Sequence, residues 1–140
     1  MKKKKILIVL SNYYTKVSSN LLLNTVKYLK NYKKKTIERS LITVPGVFEI
    51  PVVISRNIKK YDGFVALGCV IKGETPHFDF ISQSTTDAIM KLSIENKKPI
   101  GNGILTCLNK DQAIERADKS NKNKGKEAAN AAIELLINDN

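Results

Sequence analysis

The chain has 140 residues, of which 42% are hydrophobic and 26% charged, a length and composition typical of one globular domain. No apolar run approaches the roughly 20 residues that a membrane-spanning helix needs. The apolar block at 6–10, which follows a basic N-terminus, is too short for the core of a signal peptide. We therefore expect residues 1–140 to form a single domain that is cytoplasmic and has no membrane partner.

The formal net charge of +11 raises the question of nucleic-acid binding. The cations are mostly lysines, spread over runs at 2–5, 33–35, 59–60, 97–98 and 119–126. No run carries the interleaved aromatic residues of a stacking platform, so we interpret most of these lysines as solvated surface and expect no specific nucleic-acid partner. A basic module that binds RNA or DNA stays open as an alternative, and it predicts binding that weakens steeply with salt.

Strands and helices are predicted to alternate along the whole chain. Apolar runs rich in β-branched residues predict four strands, at 5–10, 36–44, 63–70 and 100–107. Helical patterns lie at 18–30, 48–59, 76–96, 111–118 and 125–137, with Thr75 as the N-cap and Pro76 as the first residue of the third helix. Strands separated by helices pair in parallel through right-handed crossovers. The sequence therefore predicts a three-layer α/β/α sandwich with a four-stranded parallel sheet and flavodoxin-like topology.

The carboxyl ends of parallel strands lie at one edge of a sheet, where ligands usually bind. Four segments should converge there: 11–15, 44–50, 70–77 and 102–107. In the first, Tyr13 either stacks on a planar heterocycle or covers the end of the sheet. In the second, Phe48 either packs into the core or walls a binding site. Glu49 either stabilises the positive end of a helix or accepts hydrogen bonds from substrate hydroxyls, and the structural explanation is the commoner one.

The third segment, 68–78, is the most informative stretch of the chain. It joins a buried strand to a helix start and carries the only histidine, His77. Backbone groups of Val70 and Ile71 are expected to be free to pair with a flat polar ring. Glu74 and Thr75 precede a helix whose first N–H groups favour an anion. Histidine exchanges protons near neutral pH, so this segment predicts a proton carrier beside a phosphate site.

The two cysteines, Cys69 and Cys107, are expected to be small buried apolar residues. A disulfide is unusual in a cytosolic protein, and two isolated cysteines with one histidine do not make a zinc site. We therefore predict neither a disulfide nor a metal. Arg116 and Lys124 lie outside the strand ends, and nothing in the local sequence marks either as functional.

Three separated blocks of the chain resemble one enzyme family. They are 44–51 (VPGVFEIP), 67–79 (LGCVIKGETPHFD) and 112–117 (QAIERA), and they are similar to 6,7-dimethyl-8-ribityllumazine synthases. The resemblance runs in order from about Lys5 to the C-terminus. It implies the penultimate step of riboflavin biosynthesis, in which 5-amino-6-(D-ribitylamino)uracil condenses with L-3,4-dihydroxy-2-butanone 4-phosphate and phosphate is released. It implies no metal and no organic cofactor.

The resemblance also implies roles for individual residues. The pyrimidine and its ribityl chain are matched by Tyr13, Val47, Phe48, Glu49, Val70, Ile71 and Asn102. The phosphate is matched by Glu74, Thr75 and Arg116, with Lys124 as a supporting residue, and proton transfer is matched by His77. Two departures stand out, because Tyr14 occupies a position that is often Asn and Asn102 one that is Phe in some members.

The resemblance further implies an assembly. Family members place Asn102, Arg116 and Lys124 across a subunit boundary from the other residues, so the site would be built from two chains of a homo-oligomer. A pentamer is the implied minimum, and a shell of sixty subunits is an alternative. A flavin or lumazine carrier that binds without turnover is a second alternative function, although Glu49, His77 and Arg116 together favour the enzyme.

Overall fold

The computed structural model describes residues 3–138, so Met1, Lys2 and residues 139–140 lie outside the described range. The strands are β1 (Lys4–Ser11), β2 (Ile37–Val44), β3 (Gly63–Ile71) and β4 (Ile100–Cys107). The helices are α1 (Thr15–Asn31), α2 (Ile50–Asn57), α3 (His77–Asn96), α4 (Lys110–Ala117) and α5 (Lys124–Ile137), and a single 3-10 turn at Val47–Glu49 precedes α2.

The four strands form one parallel sheet in the order β2-β1-β3-β4. The two central strands are almost wholly buried, which is why their sequences read as continuous apolar runs rather than as alternating patterns. Leu10 pairs with Thr43 of β2 on one side and with Leu67 of β3 on the other. The predicted fold class is confirmed, since the strand order and the helices between the strands give a flavodoxin-like arrangement.

Alternate residues of the sheet pack into two separate cores. Ile8 and Val65 belong to the core under α1, α4 and α5, whereas Val9 and Ala66 belong to the core under α2 and α3. The period-two alternation of strand side chains sends neighbouring residues to opposite faces, so one sheet supports both helical layers. This gives the predicted three layers.

Two predicted helix starts were wrong by two or three residues, and each has a local cause; the other three starts differ by one residue. The first helix begins at Thr15 rather than at residue 18, because the Ser18 hydroxyl donates to the Ser11 carbonyl oxygen at 2.7 Å instead of capping the helix. The second helix, predicted over 48–59, is preceded by the 3-10 turn. Pro51 has no N–H to donate to the Val47 carbonyl oxygen, and the N–H of Ile50 donates to that oxygen instead.

Helix α5 packs closely against β4 and α1, because each of these two contacts contains a glycine. A Cβ on Gly101 of β4 would overlap the carbonyl group of Ala128, and a Cβ on Gly125 would overlap the carbonyl oxygen of Leu21 in α1. The Thr25 hydroxyl also donates to the Gly125 carbonyl oxygen at 2.8 Å. These contacts fix the N-terminal end of α5 against both β4 and α1.

None of the helices described within residues 3–138 combines the length and the apolar character that crossing a bilayer requires.

Candidate active site

The carboxyl ends of β1, β2 and β3 border a cleft of about 300 Å³, which we call the strand-end cleft. It brings together three of the four segments expected to converge. Six of the residues in its walls belong to the predicted site or flank it: Tyr13, Tyr14, Val47, Phe48, Val70 and His77. Ile71, also predicted, lies at its floor, and the remaining lining residues are Ser11, Gly46, Cys69 and Ile81.

Two aromatic side chains at this cleft are exposed to solvent. The exposed fraction is 71% for Tyr13 and 62% for Phe48. An aromatic side chain that only packed against the core would be far less exposed. The Tyr13 ring meets Tyr14 edge to face, with 4.9 Å between the ring centroids. Burial, with smaller contributions from Cys69 and Tyr13, raises the pKa of Tyr14. Tyr14 is thus the inner aromatic residue, and Tyr13 presents its ring to the opening.

The floor of the strand-end cleft is backbone. Strand β3 pairs with β4 as far as Ile71, but its pairing with β1 stops at Leu67. We call residues 68–71 the β3 overhang. The edge of the overhang that faces β1 has no strand partner, so its N–H and C=O groups are available to a ligand. Alternate residues of a strand turn their backbone groups to opposite sides, and the Lys72 N–H donates to the Cys107 carbonyl oxygen of β4, so Ile71 faces the open edge whereas Val70 faces β4. The expected pairing of these residues with a ligand stays a prediction.

The Glu49 side chain forms a hydrogen bond within the turn that contains it. Its Oε1 accepts a hydrogen bond from the Gly46 N–H at 2.9 Å, and the Glu49 N–H donates to the Gly46 carbonyl oxygen at 3.3 Å. The side chain is half-buried and borders a neighbouring groove between α2 and α3 rather than the strand-end cleft. Glu49 therefore has a structural role in this turn, and the bond engages only one of its two carboxylate oxygens. Its role toward a substrate stays a prediction.

The segment before α3 is open to solvent. Residues 72–77 are all exposed, and a Cβ on Gly73 would meet nothing within 4 Å. The helix begins at His77 rather than at Pro76 as predicted, with Pro76 as the N-cap residue. Thr75 still assists this start, because its hydroxyl oxygen accepts a hydrogen bond from the His77 N–H at 3.4 Å. The fold leaves space around Glu74 and Thr75 that a ligand can fill.

Asn102, Arg116 and Lys124 lie together, but in a different place. They border a second cleft of about 180 Å³ beside the edge strand, which we call the β4 cleft. Asn102 is the third residue of β4 rather than near its end, and its Oδ1 accepts from the Ile104 N–H at 3.0 Å. Within one chain, these residues and the strand-end cleft therefore do not form one site.

The two candidate cations differ in how they are held. Arg116 is half-buried in the last turn of α4, and its Nη1 donates to the Gln112 carbonyl oxygen at 3.4 Å. Lys124 was predicted to precede the last helix but is its first residue, and it forms an ion pair with Glu127 at 3.0 Å. Arg116 has no carboxylate within ion-pair distance among residues 3–138, so its charge is available to an anion.

Both cysteines are buried and free, as predicted. Burial, followed by the neighbouring Cys107 thiol, raises the pKa of Cys69 to about 12. Burial also raises the pKa of Cys107, although Arg116 acts in the opposite direction. Among residues 3–138, no group of three or more histidine, cysteine or acidic side chains could hold a metal ion.

Comparison with known proteins identifies the family. The sequence profile of 6,7-dimethyl-8-ribityllumazine synthase matches residues 3–138. The chain is 46% identical to the 6,7-dimethyl-8-ribityllumazine synthase of Bartonella tribocorum, over 96% of this chain and 89% of that protein. It is 41% identical to the synthase of that name from Agrobacterium fabrum, over 97% of this chain and 95% of that protein. The chain belongs to the 6,7-dimethyl-8-ribityllumazine synthase family.

Membership of the lumazine synthase family confirms the resemblance that the three sequence blocks indicated. It also confirms the prediction of an enzyme of the transferase class, whose reaction is the condensation step of riboflavin biosynthesis. Sequence reasoning singled out most of the strand-end cleft of this lumazine synthase. It did not name four of the lining residues, Ser11, Gly46, Cys69 and Ile81, although their positions near a strand end or in the first turns of α3 could have indicated them.

Proposed function

We propose that this chain forms 6,7-dimethyl-8-ribityllumazine from 5-amino-6-(D-ribitylamino)uracil and L-3,4-dihydroxy-2-butanone 4-phosphate, acting as one catalytic domain over residues 1–140. The observation that carries the proposal is the strand-end cleft, where two exposed aromatic rings, an unpaired backbone edge and His77 meet. These are the groups that binding and condensing a flat, polar heterocycle requires. The family membership of the chain indicates which reaction this cleft would catalyse.

The pyrimidine binds between the aromatic side chains and the β3 overhang. Tyr13 or Phe48 covers the ring face, because an exposed aromatic ring gains most by packing on another flat ring. The backbone of Ile71 pairs with the polar edge of the ring, and the side chains of Val70 and Val47 pack beside it. The free oxygen of Glu49 accepts hydrogen bonds from the ribityl hydroxyls while the other oxygen keeps its bond to Gly46.

The phosphate of the second substrate binds at the start of α3. Glu74 and Thr75 supply backbone N–H groups and a hydroxyl there, and the positive end of the 20-residue helix favours the anion. Within residues 70–77 the only lysine or arginine is Lys72, which precedes the turn at Glu74 and Thr75. Arg116, supported by Lys124, supplies the charge that fixes the phosphate.

The reaction needs proton transfers at several points. The 5-amino group attacks the ketone and water leaves to form an imine. Elimination of phosphate from this imine leaves an enol that tautomerises to a ketone. The ribitylamino nitrogen attacks that ketone, and loss of a second water closes the ring. His77 lies at the wall of the strand-end cleft and is exposed to solvent, so it can take a proton from the attacking amine and return it to a leaving group.

The site is completed by a neighbouring copy of the chain. Because Asn102, Arg116 and Lys124 border the separate β4 cleft, a second subunit must present its β4 cleft to the strand-end cleft of the first. Helix α3 supports such an assembly, since Phe80, Met90 and Ile94 are all more than half exposed on it. The oligomer is a cytoplasmic homopentamer or a multiple of pentamers, including a sixty-subunit shell.

The test combines an assay with a mass measurement. Mixing both substrates with the purified protein should give lumazine absorbance and free phosphate in equal amounts. Light scattering should give a mass of five subunits or a multiple of five. A folded oligomer that forms neither product would refute the proposed reaction. An active monomer would refute the shared site and leave the reaction standing.

A further inference from the structure

A third cleft, of about 750 Å³, lies between the C-terminal half of α1 and the loop that joins α4 to α5. We call it the lysine–tyrosine cleft. It shares no lining residue with the strand-end cleft or the β4 cleft, so the proposed reaction leaves it unused. Its volume falls within the range of ligand sites, roughly 300–1,000 Å³.

The lining of this cleft is strongly basic. Five exposed lysines border it, and no acidic residue does: Lys27, Lys33, Lys34, Lys119 and Lys126. The two ion pairs found within residues 3–138, Lys91–Glu95 and Lys124–Glu127, use other lysines. A concave surface with five uncompensated positive charges concentrates anions, and a chain of phosphates matches several cations at once.

Two aromatic rings lie among these lysines. Tyr28 and Tyr32 are one helical turn apart at the end of α1, with 6.4 Å between their ring centroids and 39° between their planes. The Tyr28 hydroxyl donates to Asn130 Oδ1 at 2.6 Å, which holds that ring against α5. Both rings are partly exposed. Rigid aromatic rings beside lysines are the combination on which unpaired bases stack while their phosphates are neutralised.

The basic surface continues beyond the cleft. A neighbouring cleft of about 490 Å³ shares Tyr28, Lys119, Asn123 and Lys126 with it. It adds Lys122 and one acidic residue, Glu127, whose carboxylate is paired with Lys124. The two clefts therefore form one groove, which is longer than a single nucleotide needs. A duplex hides the faces of its bases, whereas a single strand exposes them to aromatic side chains. We propose that this groove binds single-stranded nucleic acid without sequence specificity.

The linear sequence hides this site because its parts are far apart. The lysines at 33–34 and at 119–126 come from segments separated by most of the chain, and the tyrosines belong to the first of them. The packing of α1 against α5, fixed by the bond from Thr25 to Gly125, brings them together. The run at 33–35 itself contains no aromatic residue, but in the folded chain Tyr28 and Tyr32 lie beside lysines from both segments.

The test measures binding of a fluorescein-labelled oligo(U) RNA of about 12 nucleotides to the intact oligomer by fluorescence anisotropy. With five lysines engaged, the logarithm of the binding constant should fall with the logarithm of salt concentration with a slope of about −3.5. The variant Lys33→Ala/Lys119→Ala should bind about tenfold more weakly and lower the slope by about 1.4. It should keep synthase activity, which shows that the fold is intact.

The matched control removes the same charge elsewhere. Lys59 and Lys60 are exposed and lie outside the groove, so Lys59→Ala/Lys60→Ala should weaken binding by less than about threefold. Equal losses in the two double variants would overturn the proposal, because net charge alone would then explain binding. Failure of the wild-type protein to bind at about 50 mM salt would also overturn it.

A second pair of variants tests the aromatic contribution. Tyr32→Leu should weaken RNA binding about fivefold or more, whereas Tyr32→Phe, which keeps the ring, should bind like the wild type. Indistinguishable binding by these two variants would overturn stacking. Uridine monophosphate should compete poorly at the same total nucleotide concentration, and equal competition would overturn the assignment to a strand in favour of a free nucleotide.

Discussion

The buried side chain of Asn24 in α1 donates a hydrogen bond from Nδ2 to the carbonyl oxygen of Ala117, at 3.0 Å, and so ties α1 to the end of α4. Ala117 directly follows Arg116. The bond therefore anchors the turn of α4 from which the candidate phosphate-binding arginine extends. It joins residues 93 positions apart in the chain.

Replacing Asn24 should cost both stability and activity. Asn24→Leu leaves the Ala117 carbonyl oxygen without its donor, and we expect the free energy of unfolding in urea to fall by about 1–3 kcal/mol. The KM for the phosphorylated substrate should rise as well, because the end of α4 loses its anchor. Asn96→Ala is the control, since the exposed Asn96 bonds only to Leu92 in its own helix. It should cost less than about 0.5 kcal/mol.

Removing the imidazole should slow the chemistry without unfolding the protein. We expect His77→Ala to lower kcat by about 10- to 100-fold, the low end of what acid–base catalysis supplies, because positioning of the two substrates provides much of the rate. His77→Gln should lose as much, since an amide cannot carry the proton. An unchanged kcat in both variants, measured by lumazine absorbance, would exclude His77 from proton transfer.

Mixed oligomers can decide whether the site spans two chains. His77→Ala and Arg116→Ala subunits should each be weakly active alone, but together they should regain activity after unfolding and joint refolding. If each site takes His77 from one subunit and Arg116 from the next, about one site in four is intact in an equal mixture. A site within one chain would give no gain above the mean of the two separate variants.

Replacement by alanine should destabilise the protein at one glycine and have little effect at another. Gly101→Ala forces a methyl group into the backbone of α5, and we expect a loss of about 1–3 kcal/mol from overpacking. Gly73→Ala adds the same group where nothing lies within 4 Å, so its stability should stay within about 0.5 kcal/mol of the wild type. Equal melting temperatures for the two variants would contradict the close packing of α5 on β4.

The raised pKa of Cys69 predicts how stability depends on pH. Its pKa is about 12 in the folded protein and about 8.5 in an unfolded chain, so the folded state holds the thiol proton more tightly. The stabilisation is complete below about pH 8.5, and the free energy of unfolding should fall as pH rises from there toward 12. In Cys69→Ala the fall should be shallower, as urea titrations at several pH values would measure.

Sequence reasoning located the elements well because apolar runs and helical periodicity are local signals. It placed helix starts less well, because hydrogen bonds at a helix start depend on the surrounding structure. The Ser18 hydroxyl bonds to the Ser11 carbonyl oxygen, and Pro51, which lacks an N–H, is preceded by a 3-10 turn. The strand-end cleft was predictable, since parallel strands must end together. The role proposed for Arg116 was not predictable from local sequence, because its neighbours are those of an ordinary helix face, and only the family resemblance suggested it.

The β3 overhang leaves backbone groups on the side facing β1 without a strand partner, next to the strand-end cleft. Every residue type other than proline carries the same backbone N–H and C=O groups. Substitutions at positions 69 and 71 other than to proline therefore change the packing around the cleft while they leave its backbone donors and acceptors in place. We therefore expect ligand binding at this edge to depend little on which side chains these residues carry.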